Sequence, residues 1–277
     1  RLLAKQKAAG SRPAYRTILI DKDFTYFFVL SFFFVVVFIF LKERIMKKFL
    51  LCAYAFILVS SQSIIAAGYI ATYSIKVSNP AAYVEALDEL MDSEWGKSFP
   101  AAVSLHQYAF NGYDDATHVV VLNYENPEDL GKGTDSFTDP VFQSFFAKTS
   151  SVAEPVEQAL NMKLISEVNE DPEKNQAYTI FRMQVKNPAD YAKEYLKLTK
   201  AQVDAGNIEG SYGLRQLVAG DTRYYTHYAF TSAGSVGEAM AGAETLYSSE
   251  SFEKFSVKVG DNRRVMNISI LVNVKNY

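Results

Sequence analysis

The chain has 277 residues, of which 49% are hydrophobic and 21% charged, and a formal net charge of −3. Residues 1–67 hold ten Lys and Arg against three Asp and Glu, so the rest of the chain has 18 basic and 28 acidic residues and a net charge of −10. Such an acidic surface repels phosphate backbones and anionic lipid, which argues against both as partners. The single cysteine, Cys52, also lies before residue 68, so the remainder has neither disulfides nor thiolate chemistry.

The first 67 residues are predicted to contain a targeting segment. Met46 is followed by two lysines, an apolar run and a small polar stretch that ends at Ala67, which is the pattern of a secretory signal peptide over residues 46–67. We therefore expect an exported protein, periplasmic or extracellular, that begins near Gly68. The uncharged run Phe24–Leu41 is long enough for a membrane anchor. The alternative, which we favour, is that residues 1–45 are untranslated upstream sequence.

The sequence after residue 67 contains two similar halves. Matching segments recur in the same order at offsets of 108 to 110 residues: Ser78–Tyr83 with Lys186–Tyr191, Leu105–Gln107 with Leu214–Gln216, Thr117–His118 with Thr226–His227, and Phe142 and Phe145 with Phe252 and Phe255. This spacing is about the size of one small domain, which indicates a tandem duplication.

Each half predicts the order strand, helix, strand, strand, helix, strand. The first strand of each half ends at Asn-Pro, which is an N-cap followed by proline at the first helical position. The helices that follow carry apolar residues at i, i+4 and i+7. The predicted strands are Tyr69–Val77, Val103–Phe110, Thr117–Tyr124 and Met162–Ser166, and then Tyr178–Val185, Tyr212–Val218, Arg223–Thr231 and Met266–Val274. The halves cover 68–166 and 177–277, and an acidic linker at 167–176 joins them.

This order predicts an α+β fold made of two tandem ferredoxin-like βαββαβ domains, packed sheet to sheet as an intramolecular dimeric α/β barrel. With Asn-Pro before the first helix and Phe-x-x-Phe in the second, the chain resembles the dimeric α/β barrel superfamily, which includes the antibiotic-biosynthesis monooxygenase-like and NIPSNAP-like families. The resemblance implies a space between two sheets. It supplies no catalytic motif for this sequence.

Strand alternation predicts which side chains face that space. The apolar parity, predicted to lie beneath the helices, is Tyr73, Ile75, Val77 and Phe181, Met183, Val185, and the opposite parity is Thr72, Ser74, Lys76 and Ile180, Arg182, Gln184. On the second face, Ser74, Lys76, Arg182 and Gln184, together with Tyr108, are the candidate ligand-binding residues, because enclosed cationic and hydroxyl groups suit an anion or a small polar ligand. The alternative interpretation is a seam between domains whose polar groups satisfy one another.

His118 and His227 are the candidate catalytic residues, because they occupy equivalent positions and histidine can act as a general base or a ligand. No second histidine or carboxylate stands at metal-ligand spacing from either one, so we expect no metal and no cofactor. A structural role in a hydrogen bond is the alternative for both.

These observations favour an exported protein that is non-catalytic or binds a small molecule. One alternative is a cofactor-independent monooxygenase or haem-interacting enzyme that uses the space between the sheets, and another is a structural or assembly protein of the envelope surface. We expect a small-molecule ligand, no nucleic acid and no membrane association after signal cleavage. The sequence is also compatible with a homo-oligomer.

Overall fold

The computed structural model describes residues 68–277. The predicted signal peptide and the segment before it lie outside these residues. Within the described part, no helix is long and apolar enough to span a membrane.

The described residues form eight strands, seven α-helices and one short 3₁₀ helix. The first half contains β1 (Tyr69–Val77), α1 (Pro80–Asp92), α2 (Glu94–Ser98), β2 (Ala102–Phe110), β3 (His118–Tyr124), α3 (Pro127–Ser136), α4 (Pro140–Thr149) and β4 (Ala153–Glu167). After the 3₁₀ helix (Pro172–Asn175), the second half contains β5 (Ala177–Val185), α5 (Pro188–Asp204), β6 (Tyr212–Ala219), β7 (His227–Ala233), α6 (Val236–Ser248), α7 (Glu250–Val259) and β8 (Arg263–Asn276).

The strands form a closed antiparallel barrel in the order β1-β3-β2-β8-β5-β7-β6-β4. Each half supplies four neighbouring strands, and the ladders β2–β8 and β4–β6 join the two sheets at both edges. The chain is therefore a tandem ferredoxin-like α/β barrel, as the order of elements predicted. Two strands start earlier than predicted, β4 at Ala153 rather than Met162 and β8 at Arg263 rather than Met266. The added residues, 153–161 and 263–265, mix charged and polar residues with apolar ones, so they lack the continuous apolar run typical of a buried strand.

The first helix of each half starts as the Asn-Pro pairs predict. The side chain of Asn79 accepts a hydrogen bond from the backbone N–H of Ala82, and Asn187 accepts one from Asp190 in the same way. Proline follows each cap, where its missing N–H costs nothing. These caps fix where α1 and α5 leave the sheet.

Each half buries its own apolar core between its helices and its sheet. The predicted helix stripes are buried: Tyr83, Leu87 and Leu90 on α1, and Tyr191, Tyr195 and Leu198 on α5. They pack on the predicted apolar face of the first strands, which includes Ile75 and Val77 on β1 and Met183 and Val185 on β5. Because successive strand residues alternate between faces, the other face of each strand points into the barrel.

Candidate functional site

Three of the predicted ligand-binding residues meet inside the barrel. The hydroxyl of Ser74 on β1 lies 3.3 Å from that of Tyr108 on β2. The guanidinium of Arg182 on β5 lies near the Tyr108 hydroxyl, and its attraction opposes the burial that raises the pKa of Tyr108. Only 13% of the Arg182 side chain is exposed. The structure thus brings together polar groups that are 34 and 108 residues apart in the chain.

Arg182 is held by acidic and aromatic partners that the sequence analysis missed. Its Nη1 lies 3.0 Å from Oε2 of Glu157 and 4.0 Å from Oδ2 of Asp114, and its guanidinium stands 5.2 Å from the ring centre of Tyr225. Glu157 precedes the predicted start of β4, and Asp114 and Tyr225 lie in connections between strands. The alternating inward positions of β4 would have identified Glu157 if the strand had been extended to Ala153.

The other two predicted binding residues lie apart from this group. Lys76 is exposed near the end of β1. Gln184 donates a hydrogen bond from Nε2 to the backbone carbonyl of Thr222 at 2.6 Å, so its side chain tethers the connection between β6 and β7.

A β-bulge lies where Ser74 and Glu157 face each other. The partner of Ser74 on β4 is Glu157, whereas the partner of the next residue, Ile75, is Pro155, so Val156 is an extra residue on β4. Proline cannot donate a hydrogen bond to the ladder, which suits it to a bulge. Bulges interrupt the alternation of faces and frequently lie beside functional sites. Ser74 and Glu157, beside this bulge, also line one end of a cavity next to the sheet.

The first-half cavity, between the sheet and helices α1 to α4, has a volume of about 490 Å³. Its wall is mainly aromatic and aliphatic, and it includes Tyr73, Tyr83, Leu87, Trp95, Phe99, Phe137, Phe142 and Phe145. The ring of Trp95 packs between those of Phe99 and Phe142, with centroids 4.6 Å and 5.3 Å away. Burial raises the pKa of Tyr83 to about 12. The polar groups lie towards one end, at Ser74, Glu157, Gln158 and Ser150.

The corresponding second-half cavity is much smaller, at about 170 Å³. Two substitutions at equivalent positions explain the difference. The eighth residue of the first helix is Leu87 in the first half and Tyr195 in the second, and the first residue of the last strand is Ala153 in one and Arg263 in the other. The hydroxyl of Tyr195 donates to the carbonyl of Gly213 at 3.0 Å, and the guanidinium of Arg263 lies over the Phe255 ring.

His118 and His227 occupy equivalent buried positions at the start of β3 and β7. Nδ1 of each lies within hydrogen-bond distance of the hydroxyl of the preceding threonine, at 2.9 Å from Thr117 and 3.0 Å from Thr226. Those threonine hydroxyls accept from the backbone N–H groups of Val77 and Val185. Neither histidine lines the first-half or the second-half cavity. The geometry therefore favours the structural interpretation of both.

His106 in the first half and Arg215 in the second occupy equivalent positions inside the barrel. Both are buried, with Nε2 of His106 2.9 Å from the Ser104 hydroxyl and Nη2 of Arg215 donating to Ser166 at 3.0 Å. Burial lowers the pKa of His106 to about 4 and lowers that of Arg215. Among residues 68–277, no group of three or more His, Cys, Asp or Glu is arranged to hold a metal ion.

No protein family model matches the chain, and no curated protein is similar to it in sequence. Several solved structures share its fold. A "Putative monooxygenase" from Fusobacterium nucleatum matches with a TM-score of 0.53 and 14% identity, over 77% of this chain and 95% of that one. An anthrone oxidase-like protein matches at 0.52 and 10% identity, over 76% and 92%. A second "Putative monooxygenase", from Lactobacillus acidophilus, matches at 0.51 and 9%, over 76% and 95%. At these identities the likeness establishes the fold: the chain has the ferredoxin-like α/β barrel of these proteins.

Proposed function

We propose that this protein is exported and binds one small aromatic molecule with a polar group, in the first-half cavity. The observation that carries the proposal is the form of this cavity. About 490 Å³ falls within the range of ligand sites, which are largely apolar and have a few polar groups that fix orientation. The rings of Trp95, Phe99 and Phe142 would contact the ligand ring, and the end at Ser74 and Glu157 would take its polar group.

The contrast between the halves supports a single aromatic site of this kind rather than one at the equivalent position of each half. The second half has the same wall residues at Tyr191, Leu198 and Phe255, yet Tyr195 and Arg263 reduce its cavity to about 170 Å³. The second-half cavity is therefore less able than the first-half cavity to hold a substituted aromatic ring. The difference results from side chains that the fold does not require, because both halves keep the same arrangement of elements.

Trp95 makes the proposal directly measurable, since it is the only tryptophan of the chain and lines the cavity. We expect 4-nitrobenzyl alcohol, which quenches tryptophan fluorescence, to quench Trp95 in a saturable way. 4-Nitrotoluene, which lacks the hydroxyl, should bind several-fold more weakly. Mass spectrometry of the purified protein should also find a co-purified aromatic molecule.

Leu87→Tyr introduces the residue that fills the second half and should weaken this quenching about tenfold or more. The matched control is Leu196→Tyr, the same change at an exposed position of α5. Linear quenching without saturation, or equal quenching in both variants, would contradict the proposal.

Oxidation of the bound ring is a second candidate function, and Glu157 is the observation that favours it. Its Oε1 is buried with no hydrogen-bond partner among residues 68–277, at the polar end of the cavity. A carboxylate so placed could accept a proton from a phenolic ligand. Molecular oxygen would then oxidise the phenolate to a quinone, with one oxygen atom added to the ring and the other released as water. Oxygen consumption with a phenolic ligand would separate the two functions: Glu157→Gln should abolish turnover and retain Trp95 quenching.

We also infer that the halves arose by duplication. Support comes from the collinear sequence pairs and from the equivalent environments of His118 and His227. An experimental structure in which one of these histidines lay on the third strand of its half and the other lay on a different element would contradict this inference.

A further inference from the structure

Helix α6 covers the sheet of the second half without burying any residue. Its sequence is rich in small residues, and Ala239, Gly242 and Ala243 line a space beneath it. This space, the Thr179 cavity, has a volume of about 490 Å³ and is bounded by β5, β7, α6 and residues 206–210. A helix over a sheet normally buries a stripe of large side chains, so a gap of this size is unusual.

The floor of the Thr179 cavity carries two hydroxyl groups without protein partners. Thr179 on β5 and Thr231 on β7 are directly opposite in the ladder, so their side chains lie on the same face of the sheet. Thr179 is 5% exposed, and neither threonine side chain makes a hydrogen bond with residues 68–277. The neighbouring Ser232 hydroxyl, in contrast, bonds to Asn175 and Ser211. Both threonine hydroxyls are therefore free to bond to a molecule in the cavity.

Each of the three charged groups around the Thr179 cavity already has a partner within the protein. Nζ of Lys174 pairs with a carboxylate oxygen of Glu209, and Glu238 accepts a hydrogen bond from the backbone N–H of Gly234. Gln202 is also occupied, because its amide bonds to Ser249, Ser251 and Asn207. The charges of Lys174 and Glu209 cancel, so the lining keeps one net negative charge, that of Glu238, and has no unpaired cation for an anionic ligand. Phe181, Ile208 and Leu246 add an apolar wall.

We propose that the Thr179 cavity is a second binding site, for a small neutral molecule with hydroxyl groups along one edge and an apolar face. The hydroxyls would bond to Thr179 and Thr231, which can each donate and accept. The apolar face would pack on Ile208 and Leu246 beneath the small residues of α6. The site is separate from the first-half cavity and needs none of its residues. It adjoins the second-half cavity, with which it shares Phe181, Ile208 and Leu246, whereas Thr179 and Ala243 line the Thr179 cavity and not the second-half cavity.

Methyl NMR of the full protein titrated with cis-1,2-cyclohexanediol tests this proposal. We expect saturable shifts at the methyl groups of Ile208 and Leu246 and none at Leu87, which reports the first-half cavity. Thr179→Val and Thr231→Val keep the shape and remove a hydroxyl, so each should weaken binding about fivefold or more.

Ala243→Phe should abolish the shifts by filling the Thr179 cavity, whereas Met240→Phe, at an exposed position of the same helix that does not line the cavity, should leave them unchanged. Absence of saturable shifts, unchanged binding in both valine variants, or equal shifts at Leu87 would overturn the proposal. The first-half site would stand in all three cases, because Trp95 reports it independently.

Discussion

Removing Arg182 should destabilise the protein chiefly because it isolates a buried carboxylate. Glu157 lies 3.0 Å from Arg182, and the two side chains are 15% and 13% exposed. Breaking a buried ion pair from one side costs about 3–5 kcal/mol, since the remaining charge has lost its partner in a poorly solvated place. We therefore expect Arg182→Met to lower the free energy of unfolding by about 3 kcal/mol.

The double variant Arg182→Met with Glu157→Leu should recover most of this loss. Replacing both members of a buried pair with apolar residues is often neutral, so its free energy of unfolding should lie within about 1 kcal/mol of the original protein. Glu157→Leu alone should cost less than Arg182→Met, because Asp114 stays 4.0 Å from the guanidinium. The resulting coupling energy should be about 2 kcal/mol or more.

Urea unfolding followed by circular dichroism gives all four free energies of the cycle. The surface pair Lys148–Glu89 is the control, since it is closer, at 2.6 Å, but its side chains are 50% and 59% exposed. Its coupling should be below about 1 kcal/mol. If the free-energy changes of the substitutions at Arg182 and Glu157 instead add without coupling, burial does not set the strength of this ion pair and the prediction is wrong.

Three further predictions concern pH, packing and processing. Burial lowers the pKa of His106 and His227 to about 4, from about 6.5 in an unfolded chain, so the unfolded state binds their protons more readily. The two histidines should therefore contribute fully to the free energy of unfolding above about pH 6.5, and each contribution should fall by up to about 3 kcal/mol as the pH is lowered towards 4. Urea unfolding at pH 6.5 and at pH 4 measures this fall, which should be smaller in His106→Gln and in His227→Gln than in the original protein. Tyr195→Leu should lower the free energy of unfolding by about 2–4 kcal/mol, because it enlarges the second-half cavity. The larger cavity should also bind ligand, so calorimetry should show the number of 4-nitrobenzyl alcohol molecules bound per protein rising from one towards two. N-terminal sequencing of the exported protein should start near Gly68, and detection of residues 1–45 on it would contradict the predicted signal peptide.

The fold was predictable because its signals are local. Asn-Pro caps mark the starts of α1 and α5. Asn111-Gly112 and Gly220-Asp221 are residue pairs typical of hairpin turns, and both glycines lie at positive φ in connections between strands. The buried face of each first strand follows from simple alternation. Such signals need no knowledge of distant contacts.

The candidate site was less predictable because it depends on contacts between remote elements. Ser74, Tyr108 and Arg182 were identified from strand parity, but their partner Glu157 lies beside Pro155, in a charged stretch that does not resemble a strand. The size of the first-half cavity depends on Leu87 and Ala153, which the sequence shows only as ordinary core or strand residues. Their importance appears only in comparison with Tyr195 and Arg263.

The joining of two barrel halves in a single chain removes a constraint that symmetric assemblies obey. In a dimer of identical subunits every substitution appears twice, so a mutation that opens one pocket also weakens the packing of its copy. Here Leu87 and Tyr195 differ while the ladders β2–β8 and β4–β6 stay closed. Tyr195 can therefore fill the space beneath α5 while the equivalent space beneath α1 stays open, so the two halves can specialise differently within one approximately twofold fold.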